Sequence, residues 1–235
     1  TSATNDISLS SGTSTIGPSG DKAVTEMDNL TINGSAKVTF LAAGGTYKID
    51  NGQFEGNAQI TFDTGIYWFN ELEIIDNVQI FVNGAVTIYV NGQSKHFDIE
   101  DDVLINVAGS AEDLVFVSYK DFHLKNDVQV HAVLYGAKKI EVKDQVQHVG
   151  VISVYESLKI KKTATVTYEG ISNVRVGNLC GGSIVSIDHF KITHDGSGLT
   201  CDSEPVTIEA CANSDCSALS SDAVTLDFQG DGSTI

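Results

Sequence analysis

From residue 30 onward the chain repeats a short pattern of apolar positions. With a small or β-branched anchor at Ala36, Ala58, Val78, Val103, Val128, Val146 and Ala164, the successive spacings are 22, 20, 25, 25, 18 and 18 residues. Two residues after each anchor stand Val38, Ile60, Ile80, Ile105, Val130, His148 and Val166. Four before it stand Ile32, Phe54, Ile74, Ile99, Leu124, Val142 and Ile160, and six before it Leu30, Gly52, Leu72, Phe97, Phe122, Ile140 and Leu158. Only Gly52 and His148 break the apolar rule at these columns (−6, −4, 0 and +2). A period of two within each half predicts strands with one face inward. Mostly polar residues separate the halves, such as Asp76-Asn77 and Asn126-Asp127. The column just before the anchor is Ser35, Asn57, Asn77, Asp102, Asp127, Gln145 and Thr163, suited to left-handed backbone and to bonding between neighbouring turns.

Strands recurring every 18 to 25 residues with no helical segment between them do not fit a βαβ sheet. Nor do they carry the two-residue hairpin turns of a meander. Stacking successive turns in parallel satisfies each strand from the turns above and below. The pattern therefore predicts an all-β chain, a right-handed parallel β-helix of about seven rungs over residues 30–182. Residues 1–29, rich in Ser, Thr and Gly, are expected to form an irregular first rung or an N-terminal cap, and residues 171–182 to close the other end. Beyond residue 182 the repeat stops. Strand-like runs at Ile184–Ile192, Val206–Cys211 and Ala223–Phe228, separated by turn residues, predict a partial, Ig-like β-sandwich over 183–235.

Composition agrees with this reading and narrows the partners. The 235 residues hold 22 Gly and only 2 Pro, as expected where nearly every backbone N–H serves a neighbouring rung. Fourteen basic residues against 31 acidic ones give a net charge of −17, which repels phosphate backbones and argues against a nucleic-acid partner. No run approaches the roughly 18 apolar residues of a membrane-spanning helix. The opening Thr-Ser-Ala-Thr carries no leader pattern, so either a leader has been removed or the chain is an excised piece of a longer protein; the closing Gly230–Ile235, which reads as a loop entering another strand, favours the second. All four cysteines, Cys180, Cys201, Cys211 and Cys216, lie in the last quarter, without a zinc-type spacing. Two disulfides and an oxidising, extracytoplasmic compartment are expected. Three connectivities are open, with Cys211–Cys216 and Cys180–Cys201 preferred.

Two stretches carry a resemblance. The first is Asp188-His-Phe-Lys-Ile-Thr-His-Asp-Gly-Ser-Gly-Leu-Thr-Cys201, followed by Glu204-Pro-Val-Thr-Ile-Glu-Ala-Cys211-Ala-Asn-Ser-Asp-Cys216. It resembles the opening of the C-terminal module of the MshQ family of the mannose-sensitive haemagglutinin (MSHA) type IV pilus system. The second, Phe54-Glu-Gly-Asn-Ala-Gln-Ile-Thr-Phe62, is similar to rungs of polymer-forming and adhesin-like β-helices, although D-N-V or N-D-V replaces G-N-A in most rungs here. The resemblance implies a non-catalytic, secreted or cell-surface component of a Gram-negative pilus system, adhesin-like, with other pilus components or a surface glycan or protein receptor as partners. It brings no catalytic residues.

Several residues are candidates for chemistry. Lys125, Lys143 and Lys161 share one column, and eight of the 14 basic residues fall between 120 and 162. Stacked about 4.8 Å apart, the three form a ladder that offers a patch for an anionic glycan, or simply keeps the face soluble. Tyr67, Trp68 and Phe69 precede a strand, and alternation places Trp68 on the side opposite the other two, where it offers a ring to a sugar. Asp98, Glu100, Asp101 and Asp102 form the best Ca²⁺ candidate, yet match no spaced calcium loop, so no cofactor is expected. His148 falls in an inward register and reads as a hydrogen-bonded core histidine. Many β-helices degrade polysaccharides. Such enzymes need acid and base groups on one face, and the only arginine here is Arg175. An enzyme is therefore not expected.

Overall fold

The computed structural model describes residues 5–42, 46–92, 96–161, 163–171, 189–193, 207–211, 213–217 and 219. The chain divides into two compact units, Thr1–Arg175 and Val176–Ile235.

The first unit is a parallel β-solenoid of about seven turns. One ladder runs through β1 (Ile7–Leu9), β3 (Glu26–Ile32), β5 (Thr46–Phe54), the end of β6 (Gln59–Ile75), β8 (Phe97–Glu100), β11 (Phe122–Lys125), β13 (Lys139–Val142) and β15 (Ser157–Ile160). Its register sets Leu9, Ile32, Phe54, Ile74, Ile99, Leu124, Val142 and Ile160 side by side, the predicted −4 column with one further member. A second ladder passes through β2 (Thr13–Ile16), β4 (Lys37–Phe40), the start of β6, β7 (Gln79–Val90), β9 (Leu104–Ile105), β12 (Gln129–Gly136), β14 (Gln147–Val154) and β16 (Thr165–Tyr168). Here Val38, Ile60, Ile80, Ile105, Val130, His148 and Val166 align, the predicted +2 column. The anchors bind coil to coil: Gln59 N–H donates to the Ala36 carbonyl at 2.9 Å and Gln147 N–H to the Val128 carbonyl at 2.8 Å.

The structure adds a third strand per coil. Tyr47, Tyr67, Ile88, Phe116, Leu134 and Ile152 form its inward column, with Phe116 on β10 (Leu114–Ser118). Tyr67, Trp68 and Phe69 thus lie inside β6 rather than ahead of a strand. The predicted alternation holds: Tyr67 and Phe69 are buried, whereas Trp68 is 38% exposed. Residues 7–16, within the stretch expected to form a cap or an irregular first rung, make a rung paired in parallel with β3 and β4.

The core is an axial stack. Rings repeat at about the strand spacing, with Phe40–Phe62 at 4.8 Å, Tyr47–Tyr67 at 4.9 Å and Phe97–Phe122 at 4.4 Å between centroids. The Tyr47 hydroxyl donates to the Leu41 carbonyl at 2.6 Å, and burial holds its proton on by pushing it up to about 12. Gly52, the apolar exception, makes way for a neighbour: a Cβ there would stand 2.7 Å from the Phe69 ring. His148, the other exception, is buried, with Nε2 3.0 Å from the Ala132 carbonyl. In the last described coil, Leu158 and Ile160 are 42% and 46% exposed.

Corners explain the polar columns. Asp76-Asn77, Asp101-Asp102, Asn126-Asp127 and Asp144-Gln145 all have φ between 55° and 68°. Short polar side chains pay less for this conformation than branched ones. The turns also bond to one another: Asn77 N–H donates to the Asp101 carbonyl at 2.8 Å, Asp102 N–H to Asn126 at 2.9 Å and Asp127 N–H to Asp144 at 2.9 Å.

In the second unit, β17 (His189–Thr193) and β18 (Thr207–Cys211) form an antiparallel pair. Cys211 and Cys216 are joined by a disulfide, as preferred from the sequence. Cys180, Cys201 and the expected strand Ala223–Phe228 lie outside the described residues.

Candidate functional site

Because strand register is fixed by the apolar columns, the outward positions form a lattice that can be read from residue numbers. On the first ladder, seven positions before the anchor stand Asn29, Asn51, Glu71, His96, Asp121, Lys139 and Ser157. Five before it stand Thr31, Gln53, Glu73, Asp98, His123, Glu141 and Lys159. Three before it lie Asn33, Glu55, Ile75, Glu100, Lys125, Lys143 and Lys161. Along the axis this face passes from amides, through acids, to lysines. The amide end is itself a ladder, Asn51 donating to Asn29 Oδ1 at 3.4 Å and Asn29 to Asp6 Oδ1 at 2.8 Å.

The three predicted lysines do align, but as members of an ion-pair network. Lys125 Nζ is 2.7 Å from Glu100 and 3.8 Å from Asp98. Burial favours loss of its proton, and the hydrogen bond to Glu100 with the nearby carboxylates outweighs this, so its pKa is raised. Glu141 is buried among Lys139 and Lys159, each at 3.5 Å, Lys161 at 3.8 Å and Lys143 at 3.9 Å. Burial would raise its pKa, and the ring of ammonium groups reverses this and lowers it. Four lysines share this one acid, and Lys139 also reaches Asp121 at 3.5 Å. Lys162, adjacent to the ladder, lies outside the described residues.

The four calcium candidates are not brought to one point. Lys125 occupies the space between Asp98 and Glu100. Asp98 also meets His123 Nδ1 at 2.8 Å. Asp101 and Asp102 sit on the left-handed corner, where Asp101 accepts from the Asn126 amide at 2.6 Å.

Trp68 lines a groove of about 760 Å³ on the first coils, together with Asn5, Glu26, Asp28, Lys48, Asp50 and Asn70. Tyr89 stacks on Trp68 with centroids 4.1 Å apart and planes at 7°, and Tyr119 lies parallel at 6.5 Å, so three rings stand in a strip. Tyr89 covers Trp68 from the later coil, and the groove opens on the side of the earlier one. Trp68 and Tyr119 stay 38% and 39% exposed. Around Trp68 the groove offers donors and acceptors: Lys48 Nζ pairs with Glu26 at 3.0 Å, the Asn70 amide donates to Asp50, and Asp28 accepts from the Asn5 N–H at 3.2 Å. An apolar ring rimmed by carboxylates, amides and one ammonium suits a sugar, which has apolar C–H faces and hydroxyls at its edges.

Of these residues the sequence singled out Trp68 alone. The sequence columns do not reach the third strand of each coil, and without it Glu26, Lys48 and Asp50 have no register that places them beside the ring. His96, Asp121 and His123 were likewise missed. Their signal was present: His96-Phe97-Asp98 and Asp121-Phe122-His123 lie one 25-residue repeat apart and must face each other across two rungs.

Residues 187–235 match a family described as a domain of unknown function, DUF8613. No curated protein and no solved structure matches the chain.

Proposed function

We propose that this chain is a non-catalytic, adhesin-like element of a bacterial cell surface, in a system of the MSHA type IV pilus kind, and that it grips a glycan in the Trp68 groove. One observation carries the glycan part: a partly exposed indole, backed by Tyr89, borders a groove whose rim alternates acids, amides and a lysine. The solenoid supports the mechanical part, since a stack tied by backbone hydrogen bonds at every rung is a stiff platform for such a groove. The pilus setting rests on the resemblance of residues 188–216 to the MshQ module, and the disulfide Cys211–Cys216 supports an oxidising compartment.

In this mechanism the sugar ring packs against the exposed part of Trp68, beside its register partner Lys48, its hydroxyls donating to Glu26, Asp28 or Asp50 and accepting from Lys48. Stacking on an aromatic ring contributes on the order of 1 kcal/mol beyond area burial, so single sites bind weakly and attachment gains from many copies on one cell. The test is a glycan array probed with the purified chain and with Trp68→Ala. Binding to a defined set of glycans that falls at least about tenfold in the variant supports the reading. Absence of any glycan signal, or equal signal from both proteins, refutes the groove. Release of reducing sugar or unsaturated uronate from an acidic polysaccharide would refute the non-catalytic assignment.

A further inference from the structure

We propose that His96, Asp121 and His123 form a divalent transition-metal site, of the zinc class, that clips two neighbouring coils together. His96 immediately precedes β8, and Asp121 and His123 flank Phe122 one coil later. Phe97 pairs with Phe122, and Phe97 N–H donates to the Asp121 carbonyl at 2.9 Å. His96 and Asp121 therefore share one outward column, and Asp98 and His123 the next. One donor atom from each of His96, Asp121 and His123 lies within 4.8 Å of the others, and the two imidazole centroids are 4.9 Å apart.

His123 is already arranged as a ligand. Asp98 Oδ1 lies 2.8 Å from its Nδ1. The carboxylate accepts the Nδ1 proton and leaves a lone pair on Nε2. That Nε2 is buried and meets no hydrogen-bond partner among the described residues. Buried polar atoms are almost always paired, so an orphan one requires a reason. A metal ion supplies it. A carboxylate behind a histidine is also the usual second contact that fixes a metal-binding ring. Two nitrogens and one oxygen select zinc, nickel, cobalt or copper over calcium and magnesium, which take oxygen donors.

Bonds of about 2.0–2.2 Å in a tetrahedral site bring donors to roughly 3.4 Å from one another, so the side chains must close by about an ångström. The exposed His96 provides that movement. Asp121 must release Lys139, at 3.5 Å, and the same ammonium is already 3.5 Å from Glu141. Three protein ligands leave a fourth position for water or an outside donor. His96 also lines a second groove, of about 350 Å³, with Gln53, Glu73 and Asp98.

The experiment is titration of the chelator-stripped chain with ZnCl₂ in competition with a chromophoric zinc indicator. One site is expected, weakened at least about tenfold in His96→Ala and in His123→Gln, and about tenfold in Asp98→Asn, whose residue is a positioning group that does not touch the metal. Saturating ZnCl₂ is expected to raise the melting temperature of the wild type and to leave His96→Ala unmoved. Because His96 is exposed, that variant keeps its fold, checked by its circular dichroism spectrum, even if His123→Gln does not. No zinc binding by the wild type, or equal affinity in His96→Ala, overturns the site. Unchanged affinity in Asp98→Asn overturns the positioning role.

Discussion

Acidification from pH 7 to pH 4 removes stability through one residue of the core, His148. It stands between Val130 and Val166 in an apolar column, 1% exposed, with Nε2 at 3.0 Å from the Ala132 carbonyl. Burial, only partly offset by that hydrogen bond and reinforced by His131, holds its pKa down to about 4 from the ordinary 6.5. The sign follows from proton counts. Below pH 6.5 the unfolded chain binds a proton that the folded chain refuses, so the unfolded state gains and stability falls until the folded pKa is reached. A displacement of 2.5 pH units (6.5 − 4) at 1.36 kcal/mol per unit comes to about 3 kcal/mol lost between pH 6.5 and pH 4. The carboxylates also respond to acid, so the measurement is a difference. Denaturant unfolding of the wild type and of His148→Val is followed by circular dichroism at intervals from pH 7 to pH 4. Valine is the residue type that fills the column on either side, so the variant keeps the packing and loses the titration. Relative to the variant, the wild type is expected to lose about 3 kcal/mol across that window. A pH-independent difference, or a His148 ring proton that titrates by NMR near 6.5 in the folded chain, would refute the reasoning.

Three further outcomes are expected. Glu141→Gln leaves Lys139, Lys143, Lys159 and Lys161 without their shared acid. Thermal unfolding should show a loss of about 1 kcal/mol after allowance for solvent screening, shrinking as salt is added. Its contribution is present above the ordinary carboxylate pKa and is lost as pH falls through the lowered folded value. Gly52→Leu restores the apolar rule but drives a side chain into the Phe69 ring. It should cost about 1–3 kcal/mol by denaturant titration, and much of that should return in the double variant with Phe69→Ala. At the corner residue Asn77, with φ of 62°, Asn77→Val should destabilise by about 1–2 kcal/mol, whereas Asn77→Gly should stay within about 0.5 kcal/mol of the wild type.

The inward half of the fold was legible because a period of two, repeated at one spacing, has few solutions. Val128 and Val146, for example, fall on the same column whether read from numbers or from coordinates. The third strand was not legible for a physical reason. The connections between the second and third ladders vary from coil to coil: a register shift at Asp63/Gly65, the short helix Ala111–Asp113, and an unbroken strand in Gln129–Gly136. No constant offset from the anchor exists there, so a fixed-column reading finds nothing. The same gap hid the groove. The lysine ladder was placed correctly, yet the acid that Lys143 and Lys161 share, Glu141, lies two residues and one column away. The inversion of His and Asp between two successive repeats is visible only once outward positions are paired across rungs. Gly52, which looks like an error in the pattern, is accounted for by a ring that fills the missing volume, and His148 in part by a carbonyl that meets Nε2, its Nδ1 being buried without a hydrogen-bond partner among the described residues.

The way the coils are joined has a mechanical consequence. Strand hydrogen bonds point along the solenoid axis, so a load applied between its two ends pulls directly on them and bears on one rung interface at a time. Such a stack yields like a zip rather than snapping as a block. Each released coil, 18 to 25 residues long, pays out roughly 6–9 nm of chain at about 3.3–3.6 Å per residue. A load drawn between the ends of the stack would thus lengthen it in steps, each step shedding tension before the next interface is tested.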